Sequence, residues 1–208
     1  MNNPLSHHTV QAGAEQRLHD HNIQLPPVPT PLGAYVEVVQ TGNLLFLSGM
    51  LPVAGGKPAY LGRLGAELTV EDGRKAAAIA CLNVLSAARH HLGSLDKVSR
   101  VVRLGVSIAT DGDFREHPGV ADAASEMLVH VFGEEKLSTR IVFGVASLPL
   151  GMPIELEVIF ARHSLKCEGV LTRMATRKQP SFSSSQCFSW YCWLQAGFWL
   201  KTSKRRNL

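Results

Sequence analysis

No run in this 208-residue chain reaches the roughly 18 consecutive apolar residues that a membrane-spanning helix requires. The opening residues, MNNPLSHHTVQAG, lack the basic stretch and following apolar run of a secretory leader, so a cytoplasmic protein is expected. Cysteine is scarce, with four residues and no CxxC pair, which speaks against a structural zinc site built on closely spaced ligands. The histidines are scattered, and neither His19 with His21 nor His90 with His91 is expected to bind a metal. The chain carries no GxGxxG, no P-loop, no GxSxG and no HExxH, and no internal repeat. The dinucleotide, nucleoside triphosphate, serine hydrolase and zinc protease classes therefore lose their sequence signatures.

Charge is distributed unevenly. The formal net charge is +4, yet eight of the 21 Lys/Arg and only one acid, Glu168, lie after Ser164. The first 164 residues are mildly acidic and carry no electrostatic footprint for nucleic acid, so no nucleic-acid partner is expected. All three tryptophans (Trp190, Trp193, Trp199) also fall beyond this boundary. Three segments are therefore expected: a disordered N-terminus over 1–14, one domain over 15–164, and a basic, Trp/Ser-rich extension over 165–208, expected to be poorly ordered. Aromatic residues followed by Lys201, Lys204, Arg205 and Arg206 also fit an interfacial membrane contact. The sharp change of composition favours an extension without an evolved role, and no membrane contact is expected.

Periodicity supplies the elements. A short helix is expected within Gln11–Asn22. Four prolines in LPPVPTPLG (Leu25 to Gly33) then exclude regular structure. Ala34–Val39 and Leu44–Leu47 read as a β-hairpin with Gly42-Asn43 at its turn. Thr69 and Asp72 make a capping arrangement for a helix over Val70–Leu92, stopped by Gly93. Its apolar stripe holds Ala77, Ala80, Cys81, Val84, Leu85, Ala88 and Leu92, with Cys81 expected in the core. Val98–Ala109 alternates as a strand, Val120–Phe132 reads as a second helix, and Arg140–Ala146 and Met152–Ala161 read as two last strands. The order β-β-α-β-α-β-β implies an α+β fold of two layers, with two helices on one face of a mixed sheet.

One arginine, Arg140, stands inside an apolar strand. A guanidinium there must be paired or face a ligand, because an unpaired buried charge costs several kcal/mol. Its planar fork also matches a carboxylate. On the final strand Glu155 and Glu157 share a face by alternation, and are candidates either to partner Arg140 or to activate a water.

These residues, taken together, resemble the RidA (YjgF) family of the chorismate-mutase-like fold, whose members are also labelled endoribonuclease L-PSP-like. The matching pieces are Gly33-Ala34-Tyr35-Val36, Leu47-Ser48-Gly49-Met50-Leu51-Pro52, Asp113-Phe114, Thr139-Arg140 followed by Leu148-Pro149, and Ile154-Glu155-Leu156-Glu157. The spacer from Phe114 to Lys136, with its His117-Pro118, is similar to a longer-chain branch of the family. The resemblance implies a homotrimer with sites in the clefts between subunits. It implies that Arg140 holds the carboxylate of a 2-imino acid and that Glu155 positions or activates water. Ammonia and a 2-oxo acid would be the products. Tyr35, Ser48 and Gly49 would line the cleft, and no metal or organic cofactor is implied. Two positions depart from the family pattern. Val142 stands where a cysteine often follows the arginine, and Asp122 stands where a polar helix residue often reaches the cleft.

Three functions remain open from the sequence: a deaminase of reactive imines and enamines, a binding module for small carboxylates on the same cleft, and an endoribonuclease. The acidic domain and the lack of a histidine pair among the cleft motifs weigh against the last.

Overall fold

A computed structural model describes residues 12–164. By its contacts the chain divides into Met1–Ser164 and Leu165–Leu208. The expectations for 165–208 and for residues 1–11 lie outside the described residues. Helix α1 spans Ala14–Asp20, shorter than the Gln11–Asn22 window, and buries Ala14 and Leu18.

The hairpin forms at the expected turn, with β1 at Val38–Thr41, β2 at Leu44–Leu47 and Gly42 at φ +57°. Its first strand begins later than the Ala34 expected from the apolar run. The reason lies in β2, which ends at Leu47. Ser48 then turns away, and its N–H donates to Glu37 O at 2.9 Å. Residues 34–37 are thus left beside a turn rather than beside a strand. The Gly/Pro-rich loop that follows hides a small hairpin, β3 (Val53–Ala54) with β4 (Lys57–Pro58).

Helix α2 occupies Val70–Leu92. Thr69 and Asp72 form a reciprocal capping box, and Gly93 closes the helix in the left-handed region at φ +79°. Its small residues Ala76, Ala77, Ala80, Cys81 and Ala88 are fully buried, which lets the helix approach its neighbours closely. Burial pushes the Cys81 thiol up to about 12, as expected of a core cysteine. Strand β5 runs over Val98–Ala109. Helix α3 spans His117–Phe132, three residues earlier than its apolar stripe suggests, because Pro118 sits in the first turn, where a missing N–H costs nothing. Strands β6 (Thr139–Val145) and β7 (Ile154–Arg162) complete the order.

The main sheet runs β1-β2-β7-β5-β6. Strands β5 and β6 are parallel and joined through α3, whereas β7 is antiparallel to both β2 and β5. The helices cover one face, giving a two-layer α+β domain. That face buries Leu104, Val106 and Ile108 from β5 and Ile154, Leu156, Val158 and Phe160 from β7. Each of the larger side chains contributes about 1.5–3 kcal/mol by leaving water. The opposite face keeps Phe46 and Phe143 at 37% and 52% exposure. Strand β6 forms one edge, with one side of its backbone ladder unpaired within the sheet. Among the described residues, no helix is long and apolar enough to cross a membrane.

Candidate functional site

Arg140 sits near the start of β6, directly opposite Leu104 of β5. Opposed residues of neighbouring strands share a face, so its side chain rises on the helix-covered side. There Nη1 donates to Asp122 Oδ1 at 2.6 Å and to Ser125 Oγ at 3.1 Å. Asp122 and Ser125 are three apart on α3, which brings both over the edge strand. The Arg140 side chain keeps 28% exposure and that of Asp122 48%, so this ion pair is open to solvent and adds at most about 1 kcal/mol. Both of these bonds are made through Nη1, one of the three nitrogens of the guanidinium. Val142, two residues on, is half-buried and packs against the core. Gly144 follows on the same face, and the His117 imidazole lies over its Cα. A Cβ at 144 would overlap His117 Nε2, so a side chain there would displace the ring. Phe114 braces the imidazole edge-on, with centroids 5.0 Å apart.

Glu155 sits on β7 opposite Ser107 of β5, and so on the uncovered face. Its carboxylate lies against Gly49, two residues past the end of β2. Burial raises its pKa above the ordinary 4.5. Ser48 beside it is fixed by its own donor, since Oγ–H reaches Val36 O at 2.6 Å. The Ser48 hydroxyl can therefore only accept from a ligand. The Tyr35 hydroxyl accepts from the Leu32 N–H at 3.1 Å, which leaves its proton free to be donated outward. A cleft of about 440 Å³ reaches Gly49, lined by Pro26–Leu32 with Tyr35, Glu37 and Met50, and by Asn83 of α2. Buried Asn83 holds its floor, donating to the carbonyls of Leu51 and Val53 at 2.9 and 3.0 Å.

The expected residues thus fall into two groups. Arg140, Asp122 and Val142 lie on the helix side of the sheet edge, whereas Glu155 lies on the uncovered face with Gly49 against it; Ser48 adjoins Gly49, and Tyr35 shares the cleft with it. Within one chain Arg140 and Glu155 do not meet. The idea that Glu155 or Glu157 partners Arg140 is corrected accordingly. Strand β5 stands between β6 and β7, and the two glutamates point away from the helices. The nearest cation to Glu157 is instead Arg103, at 3.9 Å. Three features were not read from the sequence: Ser125, the His117–Gly144 contact and the proline-lined cleft. Only Ser125 left a signal, as a polar residue three positions from Asp122 on a helix of small inward residues.

A two-layer α+β fold of this kind is shared with known proteins. The family described as "YjgF/chorismate_mutase-like, putative endoribonuclease" matches residues 15–162, and the chain belongs to it. It is 40% identical over 138 residues to Protein TCP17 of Trypanosoma cruzi, covering 66% of this chain and 86% of that protein. Similarity to the 2-iminobutanoate/2-iminopropanoate deaminase of Dermatophagoides farinae is 28% over 137 residues, covering 66% and 92%. The crystal structure of Atu1372 from Agrobacterium tumefaciens, a protein of unknown function, superposes with a TM-score of 0.67 at 32% identity, covering 72% of this chain and 92% of that one.

Proposed function

We propose that the protein hydrolyses reactive 2-imino acids to 2-oxo acids and ammonia, at sites completed between the copies of a homotrimer. The observation that carries this reading is the pairing of two incomplete half-sites in one chain. Arg140 offers a part-exposed guanidinium on one face, and Glu155 offers a half-buried carboxylate on the other. A second copy bringing its Glu155 face to the Arg140 edge would supply both groups to one substrate. The exposed apolar residues Phe46, Ile141 and Phe143 and the free edge of β6 suit such an association.

In this reading Arg140 binds the substrate carboxylate and fixes its orientation. Glu155 accepts a proton from a water, whose oxygen then forms the bond to C2 of the protonated imine. The nitrogen gains that proton, the C–N bond breaks, and the hydroxyl proton leaves as the 2-oxo acid forms. A 2-iminium acid and water give a 2-oxo acid and ammonium, with no redox partner. The deaminase relative supports the same chemistry.

The test is hydrolysis of imines generated in situ by an amino-acid oxidase. Wild type is expected to accelerate it, and Arg140→Ala and Glu155→Gln are not. Ligand binding retained by Glu155→Gln separates lost chemistry from lost binding. The alternative of a carboxylate-binding module predicts saturable 2-oxo-acid binding without acceleration by wild type. The family description favours a ribonuclease reading, but the mildly acidic balance of residues 1–164 weighs against it. Cleavage of RNA that survives Arg140→Ala would support it.

A further inference from the structure

We infer that Asp122 makes the Arg140 clamp selective for zwitterions, ligands that carry a positive nitrogen beside their carboxylate. This rests on Arg140 being the carboxylate clamp proposed above. The Asp122 carboxylate stands 2.6 Å from Arg140 Nη1, so the pair together carries no net charge. A simple carboxylate approaching the Nη2 and Nε side gains the guanidinium but also meets the negative charge of Asp122 one nitrogen away. Ser125, the other partner of Nη1, is neutral and does not offset this. A ligand with an iminium or ammonium at C2 places its cation within two bonds of its carboxylate carbon. That spacing suits Arg140 and Asp122 side by side, and the Asp122 side chain is 48% exposed, open to such a cation. The charge assisting the grip also keeps the imine protonated, the form in which C2 is most open to attack by water. Release follows from the same arrangement, because the 2-oxo-acid product has lost the nitrogen that Asp122 holds.

The experiment compares 2-oxobutanoate with 2-aminobutanoate, an anion and a zwitterion with the same carbon chain. Both are titrated into the full chain by calorimetry or NMR. Wild type is expected to bind the amino acid more tightly, by roughly tenfold. Asp122→Asn keeps the shape and the acceptor but removes the charge, and is expected to tighten the oxo acid and weaken the amino acid. A wild type that prefers the oxo acid overturns the inference without recourse to any variant. So does an Asp122→Asn protein whose preference stays within about twofold of wild type. Arg140→Ala is expected to lose both ligands. If it binds both as wild type does, or if wild type binds neither, the clamp reading fails and the role of Asp122 falls with it. Loss of both ligands in Arg140→Ala with an unchanged preference in Asp122→Asn leaves the clamp standing and removes only the selectivity.

Discussion

The Glu155 carboxylate rests directly on Gly49. A methyl group built at Gly49 would overlap Glu155 Oε1 and lie 2.8 Å from its Cδ. Gly49 is not among the residues with positive φ, so its backbone conformation does not itself demand glycine. What demands it is the side chain on the neighbouring strand. Gly49→Ala should therefore leave the fold intact and displace the carboxylate, the mobile end of the contact. Displacing a catalytic group by about 1 Å lowers turnover by on the order of a hundredfold. Imine hydrolysis alongside thermal unfolding checks this. A variant with full activity would show that Glu155 needs no such seat.

The raised pKa of Glu155 links stability and activity in opposite directions. Its cause is burial, which disfavours the charged form. The folded state therefore holds this proton to higher pH than the unfolded state, whose carboxyl titrates near 4.5. Stability from this group is fully present below pH 4.5 and is lost as pH rises through the folded pKa. Glu155→Gln should accordingly raise the melting temperature at pH 7, with the gain vanishing at pH 4. The base needs its carboxylate, so kcat/KM in wild type should fall on an acid limb above pH 4.5. Melting curves and rate profiles across pH 4–8 test the two signs independently.

Gly73 shows where packing overrides helix propensity. Glycine to alanine inside a helix normally stabilises by about 1 kcal/mol. Here the added methyl would overlap Leu64 Cδ2 and stand 3.1 Å from Val120 Cγ1 of α3. Gly73→Ala should destabilise by about 1–3 kcal/mol, read as a lower denaturation midpoint at unchanged slope. A stabilised variant would mean that Leu64 yields freely.

What could be read from the sequence was what is written locally. The small-residue stripe lies within α2 and the Thr69 and Gly93 caps immediately beside it, and its bounds follow from them. The β3–β4 hairpin has strands of two residues around Gly55-Gly56, too short for any period to show. The facing of Arg140 and Glu155 fails for a different reason. Alternation within a strand shows which residues share a face, but not that β5 lies between β6 and β7. Only the long-range pairing decides that one side chain meets α3 and the other meets Gly49. The same holds for Asp122, whose polarity is visible but whose contact with Arg140 depends on the parallel β5-α3-β6 crossover.

Opposite facing makes a quantitative prediction about mixtures. Arg140→Ala retains Glu155, and Glu155→Gln retains Arg140, so each variant alone should be inactive. If one site takes its arginine from one copy and its glutamate from the next, co-assembly restores sites wherever the two intact halves adjoin. In a head-to-tail ring assembled at random from equal amounts, about a quarter of the sites have this composition. The chains must be unfolded and refolded together, or coexpressed, so that subunits exchange. Recovery of about a quarter of wild-type imine hydrolysis would establish a shared site. Simple mixing of preassembled variants should recover far less. If coassembled variants stay inactive while forming mixed oligomers, then Arg140 and Glu155 do not act on one substrate from two copies. Since one chain holds them on opposite faces of its sheet, the hydrolytic reading would lose its geometry.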